Sequence, residues 1–164
     1  MLAVITGPPC AGKSTHVEHN ARAGDIVIDL DRIALALSAV GARHHEYPKH
    51  VRSTAIAARK AAIQSAIGHH KRGARVWLIH SKISPAQRHE YELDGAKILD
   101  LDPGEAVCLE RSIGQRPAEI IAIIKQWYET PAEATPASRP RARPDAGIIV
   151  RTRRRSKSRA LNEI

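Results

Sequence analysis

Apolar residues fall along the chain in short unbroken runs separated by longer stretches of helical spacing. Leu2-Ala3-Val4-Ile5-Thr6 is too short for an amphipathic helix and reads as a buried strand. Residues 13–21 follow as a helix that Ala23-Gly24 ends. DIVIDL at 25–30 is a second β-branched run, and residues 31–40 show helical spacing with Asp31 as the cap. A polar, histidine-rich loop runs from Gly41 to Tyr47. An Ala-rich helix then spans 48–67, with Gly68 as its stop. RVWLI at 75–79 and KILDL at 97–101 predict two further strands. Helices are predicted at 84–93, with Pro85 at the first position, and at 103–113 and 116–128.

Strand and helix thus alternate four times, which argues an α/β domain with a parallel sheet. The expected architecture is a three-layer sandwich of the P-loop NTPase kind, with four to five parallel strands and helices on both faces. Ile148-Ile149-Val150 is the source of the fifth strand.

Composition sharpens this picture in two places. With 164 residues, one domain fits and two do not. Aromatic residues make up only 3% and Phe is absent, so the core has to be built from Ala, Ile, Leu and Val. The formal charge of +9 is concentrated near the C-terminus. Between Arg139 and Arg159 there are nine Arg or Lys and one acid, Asp145. The chain therefore divides into a nearly neutral domain, 1–129, and a Pro- and Arg-rich flexible tail, 130–164. The tail has the charge to follow a phosphate backbone but no interleaved aromatics to stack on bases. Nucleic acid is the partner it suggests; a merely solubilising tail is the plainer reading.

Cys10 and Cys108 are far apart in the sequence and in no metal-ligand spacing, as for reduced thiols. The apolar run at 2–6 is short and has no basic leader, so neither signal peptide nor membrane span is expected. The expected location is the cytoplasm. The pairs His16/His19, His44-His45 and His69-His70 lack carboxylates or thiols at ligand spacing, so no metal is assigned to them.

The chemistry is concentrated between the first strand and the first helix. Gly7-Pro8-Pro9-Cys10-Ala11-Gly12-Lys13-Ser14 fits G-x-x-x-x-G-K-[ST] at every fixed position, with Thr15 next. The glycines let backbone N–H groups point inward at phosphates, Lys13 reaches the β- and γ-phosphates, and Ser14 offers a hydroxyl to Mg²⁺. Strand before and helix after are the context such a loop requires. ATP with Mg²⁺ is the implied ligand.

Asp29 and Asp31 close the second strand, where ligands of open α/β sheets sit. Asp31 is the candidate general base, and Asp29 the candidate to hold Mg²⁺ alongside Ser14. Asp31 as a plain helix cap is the alternative. The third strand ends in His80-Ser81 where motor ATPases carry acids, which favours transfer to an alcohol over motor chemistry. His80 either touches the acceptor or is a neutral strand-end histidine. In CLERSIGQRP, Arg111 and Arg116 flank a helix break and read either as a lid over the triphosphate or as surface arginines.

Taken in order, GPPCAGKST, IDLDRI, the third strand, CLERSIGQRP and a Trp-Tyr helix resemble the polynucleotide-kinase-like P-loop kinases. These are small proteins, often phage-encoded and labelled as AAA-type ATPases. The resemblance covers 1–129. It implies transfer of the γ-phosphate of ATP to a hydroxyl, such as a nucleic-acid 5′-OH or a hydroxylated base. It also implies catalytic roles for Lys13, Asp31, Arg111 and Arg116. Two departures fall on the acceptor side. The Arg expected a few residues beyond Asp31 is absent or displaced to Arg32, and an expected Asp is His80. A nucleoside or small-metabolite kinase, and an ATP-regulated DNA-binding or assembly protein, remain as alternatives.

Overall fold

The computed structural model describes residues 1–114 and 116–129. Four strands, β1 (Leu2–Thr6), β2 (Ile26–Ile28), β3 (Val76–Ile79) and β4 (Ala96–Asp100), form one sheet in the order β2-β3-β1-β4. All three pairings are parallel, with Leu2 opposite both Val76 and Ala96. Six helices complete the described fold: α1 (Lys13–Asn20), α2 (Leu30–Ala36), α3 (Lys49–Lys71), α4 (Pro85–Leu93), α5 (Glu105–Ser112) and α6 (Ile120–Glu129).

β1 is buried at all five positions because it lies inside a sheet covered on both faces. Its side chains alternate between two cores. Leu2 and Val4 join Ile28, Val76 and Leu78 under Ala62, Ile63 and Ala66 of α3 and Tyr91 of α4. Ala3 and Ile5 join Trp77, Ile79 and Val17 of α1. A third cluster of Ala11, Cys108 and Ile124 packs α5 and α6 beneath the loop that follows β1.

The chain leaves β1, covers one face with α1, and steps over β3 to β2. It then returns to β3 through α2 and α3, and continues to β4 through α4 on the opposite face. Reversing direction while switching face is what a single crossover hand demands. The carboxyl ends of β1 and β3 therefore send their connections to opposite faces, which opens a crevice between them.

Several boundaries differ from the sequence expectation. α3 runs through Gly68 to Lys71, and the chain turns at Gly73, whose N–H donates to the His70 carbonyl. A glycine costs a helix only about 1 kcal/mol, and Ala66 and Ile67 are held against the sheet on the preceding turn. α2 begins at Leu30 and ends at Ala36, so Asp29 rather than Asp31 is its cap. α6 starts at Ile120, beyond a turn containing Arg116. The strand expected at 148–150 and the tail lie outside the described residues. No described helix is long and apolar enough to cross a membrane.

Candidate functional site

The loop from β1 to α1 is held by its neighbours before any side chain takes part. Thr6 accepts the Leu101 N–H at 2.7 Å, and the Gly7 N–H donates to the Ser81 carbonyl at 3.3 Å. Gly7 has φ 144°, and a Cβ there would run into the Leu101 carbonyl oxygen. Pro8 is buried, and Cys10 takes φ 62°, an uncommon left-handed conformation for a non-glycine residue. Both cysteines are free thiols. Gly12, also left-handed at φ 90°, precedes α1 without a side-chain cap. The first N–H groups of α1 thus face the loop with no side chain of the cap residue on them, a favourable arrangement for an anion.

Lys13 arches over this loop and donates to the carbonyls of Gly7 (2.8 Å) and Pro8 (2.6 Å). Burial, and then the nearby Arg116 guanidinium, lower its pKa to about 8. Such an ammonium gains by meeting a negative charge. Arg111, in the last turn of α5, reaches the same loop: a Cβ on Gly12 would lie 3.4 Å from its Nη1. Ser14 and Thr15 follow on the exposed start of α1.

The end of β2 supplies the acids. Asp29 is buried; its Oδ1 accepts the Asp31 N–H at 3.1 Å, capping α2, and its Oδ2 accepts the Ser14 hydroxyl at 3.0 Å. The two residues expected to hold Mg²⁺ are therefore in contact. A hydroxyl and a carboxylate are the hard oxygen donors that this ion takes when phosphates and waters fill its remaining positions. Among the described residues no group of three or more His, Cys, Asp or Glu forms a dedicated metal cage. A cavity of about 110 Å³ adjoins the pair, with Arg32 and His44 in its wall.

Asp31, freed from capping, turns to different partners. Its Oδ2 lies 2.9 Å from His45 Nδ1 and 3.5 Å from Arg116 Nη1, and Arg116 Nη1 is 2.7 Å from the same His45 nitrogen. The Tyr47 hydroxyl donates to the Asp31 carbonyl at 3.0 Å. Burial, then Arg116, lower the pKa of His45, while Asp31 opposes them. His45 takes φ 72°; with Cys10 it makes up the described non-glycine residues at positive φ, and both line this site.

His80 departs from one of its two expected roles. It is buried, and its Nε2 pairs with the Tyr91 hydroxyl at 3.0 Å on the α4 side. Burial and the Arg59 charge lower its pKa to about 4, so it is neutral. Arg59 itself donates to the Ile79 carbonyl at 2.6 Å.

Lys13, Ser14, Asp29, Asp31, Arg111 and Arg116 thus surround the carboxyl ends of the strands. Tyr47 and Arg59 were not singled out by sequence, and His45 only as half of the His44-His45 pair, to which no metal was assigned. A polar loop carries no sign of what it will touch.

No family model matches this chain, and no curated protein matches it. A solved structure of a Pnkp1/Rnl/Hen1 complex aligns with 71% of the chain at 14% identity and a TM-score of 0.49. The chain spans 40% of the length of that structure's matching chain. The fold class defined here is an α/β domain with a four-stranded parallel sheet.

Proposed function

We propose that the protein is a P-loop phosphotransferase that moves the γ-phosphoryl group of ATP to a hydroxyl, with nucleic acid as the acceptor class. The observation that carries this reading is the meeting of two sets of groups at the carboxyl ends of the strands, linked by the Ser14–Asp29 contact and by Arg116, which lies near both Lys13 and Asp31. The first set is the glycine-lined loop with Lys13, the uncapped start of α1 and the Ser14–Asp29 pair. The second is a part-exposed carboxylate, Asp31, with an arginine at 3.5 Å.

The roles follow from the chemistry. The loop N–H groups and Lys13 bind the phosphates of ATP. Ser14 and Asp29 would hold Mg²⁺, which when bound screens the phosphate oxygens. Asp31 takes the proton of the acceptor hydroxyl as its oxygen bonds to the γ-phosphorus. The bond from that phosphorus to the bridging oxygen breaks, and ADP leaves with the electron pair. Arg111 and Arg116 offset charge on the group in transit. A neutral His80 in place of an acid beside the third strand supports an alcohol rather than water as acceptor. The basic sequence of 139–159 favours a polyanionic acceptor over a free nucleoside.

The test is transfer of label from γ-labelled ATP with Mg²⁺ to 5′-OH DNA, 5′-OH RNA, hydroxymethylated DNA and free nucleosides. Label on a nucleic acid, lost in Lys13→Ala and Asp31→Asn, is the expected result. Label only on nucleosides would move the acceptor class. Release of phosphate to water alone, or tight ATP binding without turnover, would overturn the reading and favour a nucleotide-regulated binding protein.

A further inference from the structure

The loop between α2 and α3 makes two contacts with a single residue of α2. Tyr47 donates to the Asp31 backbone carbonyl, and His45 Nδ1 lies 2.9 Å from the Asp31 carboxylate. His45 adopts left-handed backbone to do so, at φ 72°. Such a conformation in a histidine costs free energy that its surroundings have to offset. Here the strain sets an imidazole against a carboxylate, so the ring nitrogen rather than the loop shape is the gain.

Nδ1 can serve only one partner at a time. Arg116 is an obligate donor, so at 2.7 Å it needs an unprotonated Nδ1; Asp31 needs a protonated one. The neighbouring ring bears on the choice. His44 Nδ1 is 2.8 Å from His45 Nε2. When His44 donates there, a neutral His45 carries its proton on Nδ1 and donates it to Asp31. An arginine drawn off Nδ1 toward a phosphate leaves that donor to the carboxylate alone.

We infer that His45 is a positioning residue for Asp31: its Nδ1–H fixes the carboxylate orientation that accepts the acceptor proton, once Arg116 engages the phosphoryl group. This rests on the phosphotransferase reading above. His45 touches neither ATP nor acceptor in this role and acts through Asp31.

Two substitutions separate the ring's hydrogen bond from the loop's backbone. His45→Gly accepts φ 72° without strain and removes the donor. His45→Asn tolerates the same backbone and returns an N–H near the Nδ1 position. In full-length protein, His45→Gly is expected to lower kcat by about 10- to 100-fold, as for a misplaced catalytic group, with KM for ATP unchanged. His45→Asn recovers most of the loss. Wild-type kcat in His45→Gly, or equal impairment of the Gly and Asn variants, would overturn the assignment and leave phosphotransfer standing. No transfer to any acceptor by the unsubstituted protein would overturn both.

Discussion

Gly7 has little freedom in the loop between β1 and α1. Its positive φ and its approach to the Leu101 carbonyl both exclude a side chain. Gly7→Ala is expected to destabilise the fold by roughly 2 kcal/mol or more, from left-handed strain plus a displaced backbone. Urea unfolding measures it, and a loss below about 0.5 kcal/mol would mean that the loop relaxes freely. Lys13→Ala should leave stability nearly unchanged, since the ammonium bonds only loop carbonyls, while removing ATP binding as read by titration calorimetry. The strand–loop–helix form of this segment was legible in the sequence because the glycine motif that marks it is local, running only from Gly7 to Ser14. The partners of Asp31 were not. His45 is separated from Arg116 by 71 positions, and only the folded chain brings them together. The choice between Asp29 and Asp31 as helix cap was also hidden. Both acids suit that position, and the decision depends on β2 ending at Ile28.

At the scale of elements, one carboxylate at the junction of β2 and α2 caps the helix through Oδ1 and accepts the Ser14 hydroxyl through Oδ2. Asp29→Ala should cost about 1 kcal/mol through the lost cap, whereas Asp29→Asn should keep most of it. Both should weaken Mg²⁺ dependence, because an amide is a poorer ligand than a carboxylate for a hard cation. Equal stability of the two variants in thermal unfolding would argue against the capping role. The end of β3 predicts a pH dependence. His80 has a folded pKa near 4 against an ordinary 6.5, so between these values the unfolded chain binds the proton and the folded one does not. Stability is fully present above about 6.5 and falls as pH drops toward 4, by on the order of 3 kcal/mol. His80→Gln, which can still meet Tyr91, should flatten that limb of the stability profile. An unchanged slope would assign the acid sensitivity to other groups. Helix ends were the least legible elements. α3 passes Gly68 because contacts with the sheet outweigh a local propensity, a term absent from local sequence.

At the scale of the whole molecule, the sequence joins a nearly neutral stretch to a strongly basic one. The crevice would supply chemistry, and the positive charge would raise the local concentration of a polyanion. Substituting Arg153→Ser, Arg154→Ser and Arg155→Ser together should reduce the salt dependence of nucleic-acid binding by up to about three counterions, with little effect on kcat at saturating acceptor. Equal slopes in fluorescence anisotropy across a salt series would remove these residues from the interface.

The strand order has a consequence for how the protein is made. Among the described elements β1 is synthesised first, yet its neighbours are β3 and β4, and Leu2 waits for Val76 and Ala96. During translation β1 and the loop after it therefore emerge ahead of both sheet partners, and β1 stays without the first of them until Ile79 has left the ribosome. Pairings so distant in sequence form late and slowly. Protease protection of nascent chains of increasing length should show the N-terminal segment cut until that point and shielded after it. Protection of chains halted before Val76 would mean that β1 finds another shelter first.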